Sequence, residues 1–228
     1  MRETGGGQVG EDAVAGEAGL DPRVPELLRE AAWWRLLARL FECPDHAWRA
    51  DVGALAREHS DADLVGAARS AVESASEGLY HSVFGPGGPA PPREVSYHES
   101  LELGSLMSEL AAYYEAFGYR PSTNETPDHV SVEAGFVSYL RVKEAYALMA
   151  GDGQRAAITT EAASCFLTDH VTKVAAPLAR LLASTGIDYL ARASRLLSAR
   201  AGPPPRRGRL PVIVEPKGED GSEFGCRG

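Results

Sequence analysis

The sequence predicts an all-α fold, a single helical bundle of about seven or more helices flanked by disordered tails. Three observations predict it. Apolar residues recur at three- and four-residue spacing through most of residues 21–200, glycines and prolines stand where helices would end, and period-two alternation is absent over any useful length. Only Val212-Ile213-Val214 looks like a strand, and three residues between prolines do not make one. No repeat of solenoid length is visible.

Residues 1–20 are rich in Gly, Glu and Ala, and hold too little apolar surface to offset the entropy of ordering them; they read as a disordered leader. Asp21-Pro22 signals a helix start, and Leu27, Leu28, Ala31, Trp34, Leu37, Ala38 and Phe41 form its stripe up to the break at Cys43-Pro44. A weakly amphipathic segment comes next, at 46–59. Asp61 is placed to cap a third helix running through Leu64, Val65, Ala68, Val72 and Leu79 to Phe84. Residues 85–92 (GPGGPAPP) cannot be helical, because proline lacks the amide donor and glycine loses most entropy on ordering.

Ser100 opens the next helix, which carries Leu103, Leu106, Met107, Leu110, Tyr113, Tyr114 and Phe117 and ends at Gly118. After the loop YRPSTNETP, Thr126 or Asp128 can cap a helix over about 128–150, with Val132, Phe136, Val137, Leu140 and Tyr146 among its apolar positions. Gly151-Asp152-Gly153 stops it. Further helices are expected at about 155–168, 170–184 and 187–200. The domain therefore spans 21–200, and the Pro- and Arg-rich stretch 201–228 reads as a second disordered tail.

Composition narrows the functional classes. With 23 basic against 32 acidic residues the net charge is −9, which repels a phosphate backbone, so nucleic acid is a poor partner. Three scattered cysteines, Cys43, Cys165 and Cys226, argue against a disulfide framework or a zinc knuckle and fit a reducing compartment. Neither a signal-peptide pattern at residues 1–19 nor an 18-residue apolar run is present, so the expectation is a cytoplasmic protein without a membrane span.

Catalytic and cofactor motifs are missing. The six histidines do not pair at helical ligand spacing, HExxH and the Glu-x-x-His of di-iron bundles are absent, and neither a phosphate loop nor a dinucleotide-binding glycine turn occurs. No cofactor or intrinsic metal is expected. Cys165 and His170 diverge by about 140° on a helix, so they do not make a nucleophile and base, and Cys165 reads as a buried structural thiol. One polar constellation stands out: Tyr97-His98-Glu99-Ser100 and Glu125-Thr126-Pro127-Asp128-His129, each at a loop-to-helix junction where side chains are exposed and backbone amides free. Ser100 and Asp128 serve there simply as helix caps, or else the group recognises an extended peptide; the two roles are compatible.

The order of motifs along the chain carries a further reading. Trp33–Asp45 (WWRLLARLFECPD), Y-x-x-V-F at Tyr80–Phe84, the Pro/Gly loop, Y-x-E-S at Tyr97–Ser100, A-x-x-Y-x-A-F-G at Ala111–Gly118, E-T-P-D-H-V-S-V-E at Glu125–Glu133, F-V-x-Y-L at Phe136–Leu140, K-E-A at Lys143–Ala145 and F-L-x-D-H at Phe166–His170 together resemble the TorD/DmsD/NarJ family of redox-enzyme maturation chaperones. The likeness covers about residues 27–200, and the Pro-Asp-His helix start after Ala-Phe-Gly is its most specific part. The K-E-A and D-H-V-S-V-E details lean towards the branch serving respiratory or type II DMSO-reductase-family enzymes. Two departures stand out: Lys173 replaces an aromatic, and Ala134-Gly135 replaces Leu-Glu before Phe136. A glycine inside a helix costs about 1 kcal/mol relative to alanine, which points to close packing there or to a divergent subgroup.

The resemblance implies a non-enzymatic chaperone, monomer or homodimer, that binds the apo catalytic subunit of a molybdopterin-guanine-dinucleotide oxidoreductase and its N-terminal twin-arginine signal peptide before export. By position it implies a peptide groove with Tyr80, Val83 and Phe84 as apolar wall, Tyr97, Glu99 and Ser100 at the rim, and Pro127, Asp128 and His129 as polar corner. Tyr80, Val83, Phe84 and Phe136 serve equally well as ordinary core. Two other classes compete: a helical metal protein or enzyme using Asp128, His129 and Glu133, which share one face at one-turn spacing, and a structural subunit of the finished oxidoreductase.

Overall fold

The structure, a computed structural model, describes residues 20–98 and 103–203. Glu99 and Ser100, and both predicted tails apart from Leu20 and residues 201–203, lie outside the described residues. Among those described the chain is all α, with a lone bridge between Arg93 and His129 as its β pairing.

Helix α1 (Val24–Leu40) has proline in its first turn, where a missing amide costs nothing. Helices α2 (Trp48–Arg57) and α3 (Ala62–Ser74) start on aspartates: Asp45 accepts from the Ala47 and Trp48 amides, and Asp61 from those of Asp63 and Leu64. The single helix expected from Asp61 to Phe84 is two. It breaks at Ala75-Ser76, where Ser76 turns extended and caps α4 (Glu77–Phe84) through the Leu79 amide. A short serine cap is weak competition for an unbroken apolar pattern, which is why periodicity alone runs through it.

Helix α5 (Leu103–Phe117) closes at Gly118, whose φ of 68° a side chain would oppose. Helix α6 (Val130–Met149) is the axis of the bundle: from Val130 to Ser138 every residue is buried, the mark of a helix surrounded on all sides. It packs on α1 and on α7 (Gly153–Phe166), while α8 (Thr172–Ala183) and α9 (Asp188–Ala201) pack together and α9 rests on α3. Tyr146, expected on the apolar face of α6, is instead 72% exposed.

Close packing at Gly135 is present. A Cβ there would meet the Tyr119 hydroxyl at 2.7 Å, so the glycine is what admits that ring beside α6. Phe136, next in line, is fully buried among Tyr113, Tyr114, Phe117, Tyr119 and Phe166. The break expected near 169 is absent. The chain passes from α7 to α8 through a π turn, Leu167–Val171, without leaving the helical path. Cys165, expected to be buried, is exposed on α7; Phe166 takes the inward position.

Candidate functional site

The proline loop meets the start of α6 in a short antiparallel stitch. The Val130 amide donates to the Pro92 carbonyl at 2.9 Å and the Glu94 amide to the Asp128 carbonyl at 2.8 Å. Prolines 91 and 92 hold this strand-like piece extended without asking for donors, and it leads into a 3-10 turn (Glu94–Tyr97). The Tyr97 hydroxyl donates back to the Pro91 carbonyl at 2.6 Å, closing the loop on itself.

Side chains fasten the stitch. The expectation that Asp128 and His129 stand exposed on a first helical turn is overturned: they are 0% and 1% exposed. Asp128 does not cap α6. Its carboxylate accepts from Arg93 Nε at 2.9 and 3.1 Å and from the Thr126 hydroxyl at 2.9 Å, an ion pair between loop and helix start. His129 is the cap instead, its Nδ1 accepting from the Ser131 amide at 3.1 Å. That bond assigns the proton of the neutral ring to Nε2, which lies 3.1 Å from the Tyr80 hydroxyl; Tyr80 in turn donates to Glu125 Oε1 at 2.8 Å. Burial lowers the His129 pKa to about 4, although the nearby Glu125 carboxylate opposes this, so the ring is neutral at physiological pH. Burial, and then the bond to Glu125, push the Tyr80 phenol up.

Behind the stitch lies a second buried polar group. Glu94, wholly enclosed, faces His98 Nε2 at 2.7 Å and His170 Nδ1 at 3.0 Å with its two oxygens. The π turn supplies His170, which packs against Phe166 and Tyr113. Glu133, one turn into α6, is also wholly buried, its carboxyl facing that of Glu94. Burial, reinforced by the negative charge of Glu94, pushes its carboxyl well above the usual range, favouring the protonated acid.

The structure thus brings Tyr80, Pro127, Asp128 and His129 to one junction, with Tyr97 beside it, and puts Val83 and Phe84 in the core. Tyr80 is core as well, 5% exposed with only its hydroxyl engaged at the junction. Pro127 is exposed, Tyr97 half-buried, and the Glu125 side chain keeps 27% of its surface. The shared helical face imagined for Asp128, His129 and Glu133 does not exist, since α6 begins only at Val130 and the first two are bonded elsewhere. Among the described residues no group of three or more His, Cys, Asp or Glu is placed to hold a metal ion. Sequence reasoning missed Arg93, Glu94 and His170, because the Arg93–Asp128 and Glu94–His170 pairs join residues 35 and 76 positions apart. An arginine directly after two prolines was the available signal for Arg93. It missed, too, an open apolar groove of about 440 Å³ between α1, α6 and the segment after α5, lined by Leu28, Leu55, Tyr119 and Tyr139 with Arg35 and Arg120.

The family model described as nitrate reductase delta subunit matches residues 42–180, which contain the proline loop, the stitch, α6 and the π turn. The chain belongs to this family. It is a family of redox-enzyme maturation chaperones, the NarJ/TorD type, so the general role is assistance to a molybdoenzyme catalytic subunit. No curated protein matches the chain. Among the described residues no helix is long and apolar enough to cross a membrane.

Proposed function

We propose that this chaperone binds, in the cytoplasm, the apo catalytic subunit of a molybdopterin-guanine-dinucleotide oxidoreductase together with its twin-arginine signal peptide, and that the peptide lies along the proline loop and the Glu125–Pro127 edge. It holds the client for cofactor insertion and turns over no substrate. The observation that supports this reading is the stitch itself: an ion pair and two backbone hydrogen bonds fix the proline loop against the start of α6, the Tyr80 hydroxyl between His129 and Glu125 ties α4 to the same place, and Pro127 and one side of Glu125 are left outward beside the half-buried Tyr97. Asp128 and His129 then act by positioning that surface from beneath. Glu99 and Ser100 belong to the same rim by sequence. An acidic edge beside a rigid extended loop suits a peptide that is basic and then apolar.

Two experiments test it. Affinity capture from the native host should enrich a molybdopterin oxidoreductase catalytic subunit in its cofactor-free form, and deletion should leave that enzyme inactive; an active, cofactor-replete enzyme in the deletion strain rejects the role. Co-purification with the finished enzyme at fixed stoichiometry would instead make the chain a structural subunit. For the site, Glu125→Gln keeps the Tyr80 bond and removes the charge, so signal-peptide affinity should fall about three- to tenfold while melting is unchanged. Equal affinity removes this edge from the binding surface.

A further inference from the structure

Where α9 ends against α1, the surface carries two adjoining hollows of different character. The first, about 550 Å³, is lined by the carboxylates Glu26, Glu30, Glu58 and Asp61 against the guanidiniums of Arg29 and Arg200. Glu30 already pairs with Arg141, and Asp61 with the start of α3 and the Trp33 indole; Glu26 and Glu58 make no ion pair among the described residues. The second, about 450 Å³, lies between α2 and α3 with Ala56, Val65, Ala68 and Val72 as its floor and Arg57 and Arg69 at its edge. His59 lines both, so the acidic hollow leads into the apolar one.

The chain leaves α9 at this place. Arg200, in the last turn, stacks over the Trp33 ring at 4.6 Å and forms part of the acidic wall; the helix ends one residue later. Beyond Gly202 the sequence runs Pro203-Pro204-Pro205, then Arg206, Arg207 and Arg209, then Leu210-Pro211-Val212-Ile213-Val214, then Glu215. Basic, apolar and acidic segments of the tail are thus matched by carboxylates in the first hollow and by an apolar floor with the guanidiniums of Arg57 and Arg69 in the second. The distances allow it: three residues past Pro203 span up to about 10 Å and eleven up to about 36 Å.

We propose that residues Arg206–Glu215 of this chain dock on its own α1–α2–α3 face, with the arginines in the acidic hollow and Leu210–Val214 over the apolar one. The tail then shields an apolar opening that would otherwise face solvent, and the contact weakens with salt because its first part is ionic. It is independent of the peptide edge at Glu125–Pro127.

The chain's lysines allow a direct test, because Lys143, Lys173 and Lys217 are the only three. A zero-length carbodiimide cross-link from Lys217 to Glu73, at the edge of the apolar hollow, should form within one full-length chain. Its yield should fall roughly tenfold in the full-length Arg206→Glu, Arg207→Glu, Arg209→Glu variant. In the same pair of proteins amide exchange over residues 53–73 should be faster in the variant. Mixing isotopically labelled and unlabelled protein separates the alternatives. Mixed labelled–unlabelled links making up about half of the product would mean that the tail docks on a second copy, and equal exchange in the two proteins would mean that it does not dock; either result overturns the proposal.

Discussion

The contact of α6 with α1 and the contact of α6 with the proline loop share a helix and differ in nearly everything else. Towards α1 the buried surface is mainly apolar, with the Ser138 hydroxyl donating to the Ala31 carbonyl across the contact. Towards the loop nearly every contact is a hydrogen bond or an ion pair, and the groups are as deeply buried. Apolar contact is non-directional and carries the stability of the bundle. The polar junction gains little net energy, because its ions lose their water, but it admits one geometry only. One side of α6 holds the fold together, and the other decides where a loop stands.

The contrast breaks most severely at its apolar centre. Phe136→Ala should cost about 3–5 kcal/mol, enough to unfold much of the population of a marginal domain, as read by chemical denaturation. Gly135→Leu, which drives a side chain into Tyr119, should cost about 1–3 kcal/mol in the same measurement. If either is neutral, α6 is not the organising element. Arg93→Met leaves the Asp128 carboxylate buried without its cation and should cost about 1–3 kcal/mol, less than a fully buried pair because Arg93 is 35% exposed. Local hydrogen exchange at residues 90–98 should rise by more than the global loss explains, which sharpens the claim that this side sets position.

Protonation provides a finer test. His129 has a folded pKa near 4 against an ordinary 6.5, so its contribution is complete above pH 6.5 and is lost as pH falls towards 4. The resulting acid sensitivity is about 3 kcal/mol as an upper bound. Glu133 has the opposite sign: its folded pKa is raised, so its stability is complete below the ordinary carboxylate range and declines as pH rises. His129→Gln should flatten the acid limb of a stability-against-pH curve. Glu133→Gln, which replaces a buried acid with a neutral isostere, should flatten the decline that sets in above the ordinary carboxylate range and so raise stability at neutral pH. An unchanged acid limb in the first variant would place the titration elsewhere.

The apolar side was legible from the sequence and the polar side was not, for a physical reason. Helix periodicity, the cap at Asp61 and the left-handed glycines at 118, 151 and 186 are local signals, and each appears where the sequence places it. Asp128 also carried a local signal, a good cap residue after proline, and the signal misled: a cation 35 positions away competes for the same carboxylate and wins. Histidine is an unusual cap, so His129 passed for a solvated residue. Exposure was the least legible property, since Asp128 and His129 are buried and Cys165 and Tyr146 are not. Burial of a polar residue depends on partners that no window of sequence contains.

The π turn at Leu167–Val171 leaves the chain with one residue more than an α-helix needs to join α7 to α8 in phase. Removing Thr168 or Asp169, both exposed, would close it to ordinary helix and keep the buried faces aligned. The same deletion a turn earlier in α7 would swing everything downstream by about 100°. Along this stretch the molecule has a built-in slack of one letter, and the imidazole that meets Glu94 is what occupies it.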